Sequence, residues 1–330
     1  MNGATFMPYA TGTQTVTVSW NGQNIDVTIQ VAGGVPTHYM TSGCEGVIHA
    51  GETCTLNWTL HDQFDNLLDL AVGGGISWQA GGGIFTEANG TYFATTVGSW
   101  NITMASTGGI NHVHSVVVDH GQMATLEINV SAEYVTADDM VWINTTRIDI
   151  MGNRLSVELP AENWTVSDGT LVAGQPAIWH ANRVGTKTIT AQYAGMSNSV
   201  DISVSKGEIV GLVLLVDTVD STWMLHEITA DDQMTIKVKA QDANGNRWTE
   251  NVAWRVEHPQ FNDQSVLQEM TYGSTTMFVP IFASDYAYTL WATYDNDVVI
   301  EVALNISVDH GDLVSVELIQ PNSLTQNIDA

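Results

Sequence analysis

The sequence predicts an all-β chain of tandem β-sandwich repeats. Three observations carry this prediction. Marker segments recur in a fixed order, apolar residues within each recurrence alternate with period two, and sustained helical periodicity is nearly absent.

The recurrence comes first. A junction-like segment, in which a β-branched run meets a Gly turn and then an alternating apolar run, surrounds Gly34 (VAGGVPTHYM), Gly121 (VDHGQMATLEI), Gly207 (VSKGEIVGLVLL) and Gly311 (VDHGDLVSVELI). The intervals are 87, 86 and 104 residues. A second marker opens at Asp62 (DQFDN), Asp149 (DIMGN) and Asp242 (DANGN), and each copy reads as a tight turn. There Asp accepts a bond from backbone two residues on, and Gly or Asn supplies a positive φ. Ala137-Asp138-Asp139 matches Ala230-Asp231-Asp232, with Ala50-Gly51-Glu52 as a weaker partner. One Trp follows each Asp turn (Trp78, Trp164, Trp254). A late Gly corner leads into a strand at Gly98-Ser99-Trp100-Asn101-Ile102-Thr103 and again at Gly185-Thr186-Lys187-Thr188-Ile189-Thr190.

These markers divide the chain into 1–32, the C-terminal part of a preceding repeat; 33–120, 121–206 and 207–310, three full repeats; and 311–330, the first strand of a following one. The first segment is assigned because Gly12-Thr13-Gln14-Thr15-Val16-Thr17-Val18 resembles the run from Gly185 to Ala191.

Alternation supplies the strands. Cys54, Leu56, Trp58 and Leu60 alternate with Thr55, Asn57, Thr59 and His61; Leu126, Ile128 and Val130 alternate with Glu127 and Asn129; Met234, Ile236, Val238 and Ala240 alternate with Thr235, Lys237 and Lys239. This is the pattern of half-buried antiparallel strands. Strands separated by Gly, Asn and Asp turns, roughly seven to a repeat, fit an immunoglobulin-like sandwich with the recurrent Trp between its sheets. Arg147 departs from the pattern, falling in the apolar register of its strand.

The order of motifs resembles the bacterial immunoglobulin-like repeats of the invasin and intimin type of surface protein. The resemblance is carried by Asp149-Ile150-Met151-Gly152-Asn153, by Trp164-Thr165-Val166-Ser167-Asp168-Gly169-Thr170-Leu171 and by Gly185 to Ala191. It covers the second repeat well and the third in its first half. The first is looser, with Asp65 in place of Gly. It implies a fold and a surface setting, not a ligand.

Composition narrows the function. The 330 residues carry 36 acidic against 9 basic side chains, a net charge of -27. Such a chain repels nucleic acid and anionic lipid and attracts cations. With 44% hydrophobic residues it has the apolar surface to fold. No stretch approaches the roughly 18 apolar residues of a membrane span. No secretory signal follows Met1, and the partial repeats place any signal or anchor outside this sequence. Cys44 and Cys54 flank a Gly-containing turn at a spacing unsuited to zinc or C-x-x-C chemistry. A local disulfide, and with it an oxidising compartment, is the favoured reading over two buried thiols.

Candidate sites are few. Asn-x-Ser/Thr sequons, the acceptors of N-linked glycan, fall at Asn57, Asn89, Asn101, Asn129, Asn144, Asn163 and Asn305. Asn57 and Asn144 occupy the same place in successive repeats, on the polar side of a strand. Asp119, Asp138, Asp139, Asp231, Asp232 and Asp309 offer hard oxygens near the junctions. Calcium is the ion they would suit, against the alternative of solvated turn acids. His112 and His114 share a strand face, with His120 further along. No nucleophile elbow, HExxH helix, P-loop or dinucleotide fingerprint occurs. A carboxylate pair for glycoside hydrolysis stays open in so acidic a chain, yet the acids recur at turn positions, which fits structure better.

The expectation is a non-catalytic extracellular stalk with structural or adhesive work, part of a larger surface protein. Short junctions such as Asp119-His120-Gly121 would make it semi-rigid. Its partners would be its own neighbouring repeats and a surface protein or glycan. The alternative is a carbohydrate- or protein-binding module, motivated by Trp20, Trp100 and Trp223 as exposed rings.

Overall fold

The computed structural model describes residues 4–260, 266–268, 271–296 and 298–312. The chain is all-β, a series of immunoglobulin-like sandwiches.

The second sandwich shows the plan. One sheet runs in the order Met123–Val130, Met140–Asp149, Ala177–His180, Thr170–Val172, with Arg154–Ser156 also paired to Met140–Asp149. The other runs Tyr134–Thr136, Met196–Ser205, Gly185–Tyr193, Trp164–Val166. The third sandwich repeats this order with Gly211–Val216, Met234–Gln241, Thr275–Phe278 and Leu267–Gln268 facing Leu225–Thr229, Val299–Asp309, Ser284–Asp295 and Val252–Glu257. In the first, one face is split. Pro36–Ser42, Asn57–Asp62 and Leu67–Leu68 form one piece; Thr53–Thr55, Thr91–Ala94 and Gly83–Thr86 form the other. The break falls after Leu56, whose N–H still bonds to the Gly90 carbonyl at 2.8 Å, and from Asn57 on the chain pairs with Pro36–Ser42 instead. The opposite sheet, Val47–His49, Asn111–Asp119, Gly98–Ser106 and Ile76–Ala80, is intact.

Each repeat therefore ends in an antiparallel closing hairpin, made by its last two long strands. A short strand pairs in parallel with the final one: Val47–His49, Tyr134–Thr136 and Leu225–Thr229. The alternating residues fill the space between sheets. Leu56, Tyr92, Ile102 and Val116 are buried in the first repeat; Ile143, Trp179, Ile189 and Ile202 in the second; Ile236, Phe278, Leu290 and Ile306 in the third. The recurrent Trp lies in the same strand each time. Trp78 stacks at 4.5 Å from Phe85, Trp164 is half-buried, and Trp254 is buried with its Nε1–H donating to the Gly273 carbonyl at 2.9 Å.

Gly12–Trp20 and Gln23–Val31 form a two-stranded hairpin. Its register, Gly12 opposite Val31, matches Gly185 opposite Val204 in the second repeat. Its turn, Asn21 and Gly22 at φ 57° and 80°, matches Ala194 and Gly195 at 49° and 80°. Two positive-φ residues let a two-residue turn follow the strand twist. Val18, Trp20, Ile25 and Val27 of this hairpin are exposed. Of the expected strand at 311–330, everything from 313 on lies outside the described residues.

Candidate functional site: the joint between repeats

The Asp turn is more than a turn. The carboxylate of Asp149 accepts from the backbone N–H of Met151 and Asn153, closing its own loop at 2.9 Å each. It also accepts from Gly121 N–H, the junction residue, at 2.9 Å. Asp62 does the same for Gly34 at 3.0 Å and Asp242 for Gly207 at 3.1 Å. All three carboxylates are buried. Burial works against their charge, but the convergent N–H donors outweigh it. Gly34, Asn66 and Phe64 bring the Asp62 pKa down to about 2, and Asp149 and Asp242 are also held below the usual carboxylate range.

The last residue of each turn reaches across to the preceding segment. Asn153 donates through Nδ2 to the Thr95 carbonyl at 2.9 Å and accepts through Oδ1 from Val97 N–H at 3.2 Å. Asn246 makes the same pair with Asn182 and Val184 at 2.7 and 3.2 Å, and Asn66 with Tyr9 and Thr11 at 3.0 Å each. An amide carries one donor and one acceptor side by side, so it can bond the C=O of one residue and the N–H two residues later. Its Nδ2 also donates to the turn Asp, which fixes the amide's orientation. The fourth turn residue stands at positive φ in all three: Asp65 at 62°, Gly152 at 85°, Gly245 at 80°. Asp65 thus does the work of Gly.

The third turn residue differs. Phe64 meets Tyr9 edge-on at 5.2 Å, Met151 packs against the core of the first repeat, and Asn244 donates to the Ala137 carbonyl at 2.7 Å. At the opposite face of the joint, the Ala of each Ala-acid-acid segment donates its N–H to the end of the final strand: Ala50 to Asp119, Ala137 to Ser205, Ala230 to Asp309. Junction glycines are required by the closeness of these parts. A Cβ on Gly121 would stand 2.0 Å from the Ala50 carbonyl oxygen, and one on Gly207 2.1 Å from the Asp138 carboxylate.

The six acids proposed for calcium fall into three roles. Asp138 and Asp231 accept from the junction N–H groups of Glu208 and Asp312 at 2.7 Å each. Asp139 and Asp232 close their own turns on Thr136 and Thr229. Asp119 and Asp309 accept from the N–H and ring of the next residue, His120 and His310. Among the described residues no three His, Cys, Asp or Glu side chains gather as a metal site. His112 and His114 do share a face, bridged by the Thr41 hydroxyl at 2.9 and 3.0 Å; burial, then His114 and His38, lower the pKa of His112. His120 lies apart, in the joint between the first and second full repeats, against the Arg154 carbonyl.

Cys44 and Cys54 are bonded as a disulfide. Asn57, Asn89, Asn101, Asn129 and Asn144 are exposed, while Asn163 and Asn305 are half-buried and bonded to Gln192 and Thr289. The three rings expected on the surface do not share a face. Trp20 and Trp223 are exposed, but Trp100 is half-buried against the Gly81-Gly82 turn, with its Nε1–H donating to the Thr96 carbonyl at 2.7 Å. Gly82 has no side chain to hold the ring off, so an aromatic that reads as exposed is drawn down. Arg147 is half-buried beside Leu126 and Leu155, and its Nε is buried with no partner among the described residues.

Sandwich and joint together define a chain of tandem immunoglobulin-like modules. Solved structures of the same kind resemble it. FdeC, an Escherichia coli adhesin, is 18% identical over 84% of this chain and all of its own, with a TM-score of 0.43. InvD of Yersinia pseudotuberculosis is 15% identical over 81% of this chain and 96% of its own, at 0.43. Invasin, a bacterial integrin-binding protein, is 15% identical over 82% of this chain, which covers 60% of it, at 0.39. No protein-family model and no curated protein matches the chain.

Proposed function

We propose that the chain is a non-catalytic, extracellular stalk segment of a larger surface protein. The supporting observation is the joint, built three times from the same parts: a buried Asp on the junction Gly, and an Asn amide paired to the backbone of the preceding module. A linker of two or three residues whose N–H groups are bonded on both sides restricts rotation between modules, as a spacer requires. The joint acids take part in it through backbone donors, Asp138 from Glu208 and Asp231 from Asp312. The hairpin Gly12–Val31 serves as the closing hairpin of an earlier module, held to the first full repeat through Asn66. The disulfide suits an oxidising exterior. Asn57 and Asn144, exposed at equivalent positions, are the leading glycan acceptors.

Small-angle scattering tests the reading. An elongated particle whose maximum dimension does not change between calcium and chelator supports it. A compact particle, with repeats folded back on one another, would refute it.

A further inference from the structure

The closing-hairpin sheet of each repeat has an outward face, and its central row can be compared across the chain. In the first repeat that row is Gln79, Thr103 and Val113; in the second, Thr165, Thr190 and Ser199; in the N-terminal hairpin, Thr17 and Asp26. The middle position is Thr each time. In the third repeat the row is Arg255, Trp291 and Ala303. The same fold is thus built with a small hydroxyl residue at this place, so the sandwich does not require Trp291, which is half-buried beside the buried Ala303.

A second ring joins it. The stretch from the junction glycine to the end of the parallel strand, Gly121 to Thr136 in the second repeat, runs from Gly207 to Thr229 in the third, about seven residues longer. The extra residues carry Trp223. Its N–H is bonded to the Ala303 carbonyl at 2.7 Å, and the carbonyl of Met224 accepts from Asn305 N–H at 2.9 Å. Trp223 stands at φ 61°, a conformation a bulky residue seldom adopts, and the residue is 61% exposed. The ring centroids of Trp223 and Trp291 are 5.9 Å apart at 86°. Polar groups around them are fixed. Arg255 lies over Trp291 at 4.5 Å and pairs with Glu257 and Glu301, while Glu257 accepts from Trp291 Nε1–H at 3.0 Å.

We propose that this outward face of the third repeat binds a neutral saccharide. The apolar C–H face of a sugar ring stacks on an exposed indole, and its hydroxyls both donate to carboxylates and accept from a guanidinium. Here the rings, two carboxylates and one guanidinium are already held in place. A cationic ligand would have to displace Arg255 from Trp291. An anionic one meets a chain of net charge -27. An apolar protein surface would desolvate three charges while offering nothing to their remaining donors and acceptors. A polyol satisfies them and brings no charge.

The test is a glycan-array screen of the whole chain against neutral and charged oligosaccharides. Titration of each neutral hit into the chain and its Trp223→Ala, Trp291→Thr and Arg255→Gln variants follows, read by intrinsic fluorescence. Trp291→Thr installs the residue the other copies carry, so it keeps the fold; melting curves check this. The expected result is a neutral hit whose affinity falls at least tenfold in Trp223→Ala and Trp291→Thr. The idea is overturned by the absence of any neutral hit at millimolar sugar, by hits that the two Trp variants leave unchanged, or by selective binding of charged glycans.

Discussion

Asn153→Ala removes the amide that ties the first two full repeats together. Two bonds across the joint are lost, Nδ2 to the Thr95 carbonyl at 2.9 Å and Val97 N–H to Oδ1 at 3.2 Å. At about 0.5–1.5 kcal/mol net for each neutral hydrogen bond, the joint weakens by about 1–3 kcal/mol, or roughly 5- to 150-fold in its opening equilibrium. Hydrogen exchange reads this directly at the Val97 amide, which donates to Asn153 Oδ1. Protection there should fall by that factor, while Ile102 and Ile189, deep in their own sheets, keep theirs. Asn153→Asp provides the sharper control. It retains an acceptor for Val97 but turns a second oxygen toward the Thr95 carbonyl and the Asp149 carboxylate, so it should be more damaging than alanine at neutral pH and improve as pH falls. Unchanged Val97 protection in Asn153→Ala, or an aspartate variant better tolerated than alanine, would refute the reasoning.

Four further outcomes are expected. Acid should loosen the joints before the cores: the folded-state pKa values of Asp62, Asp149 and Asp242 are depressed, so the stability they contribute is present above the ordinary carboxylate range and is lost as pH falls through their lowered values, about 2 for Asp62, visible as joint-localised exchange. Gly121→Ala should destabilise by about 1–3 kcal/mol and Gly207→Ala by less, because the first clash is with a backbone carbonyl and the second with a carboxylate that can swing away; calorimetry with equal losses would contradict this. Replacing both Cys44 and Cys54 by Ser should cost the first repeat about 2–3 kcal/mol, from the ten-residue loop they close, and leave the third repeat's denaturation midpoint unchanged. Arg147→Leu should stabilise the second repeat by about 1 kcal/mol in a denaturant titration, since it removes a buried unpartnered Nε from a site that is Leu60 in the first repeat.

What the sequence made legible was whatever a single repeat needs for itself. Alternation from Met234 to Ala240 and from Cys54 to His61 marks strands because one face of each must be apolar, though the second run is divided into Thr53–Thr55 and Asn57–Asp62. The Asp turns were readable as turns, since Asp and a positive-φ residue are local requirements. Their reach into the neighbouring module was not, because the groups they meet are backbone atoms of Thr95, Val97, Asn182 and Val184, and any residue type supplies those. The one available signal was Asn at the fifth position of all three turns, including the turn whose fourth position had drifted to Asp65. The acidic pairs stand out by their charge, yet what uses their first members, Asp138 and Asp231, is again backbone N–H, at Glu208 and Asp312. Trp291 was hidden by the opposite problem: it lies in a strand of ordinary pattern, and only its cross-strand neighbours reveal that the other copies carry Thr there.

The parallel pairing of each short strand with the final strand has a consequence under load. Tension pulling a module's entry and exit apart runs along that ladder, so its bonds are strained together in shear instead of peeling one at a time. The ladders join three residue pairs in the first repeat, three in the second and five in the third. Pulled end to end, the chain would yield in its first two modules while the third held, so the face bearing Trp223 and Trp291 would keep its shape after the rest of the chain had begun to extend.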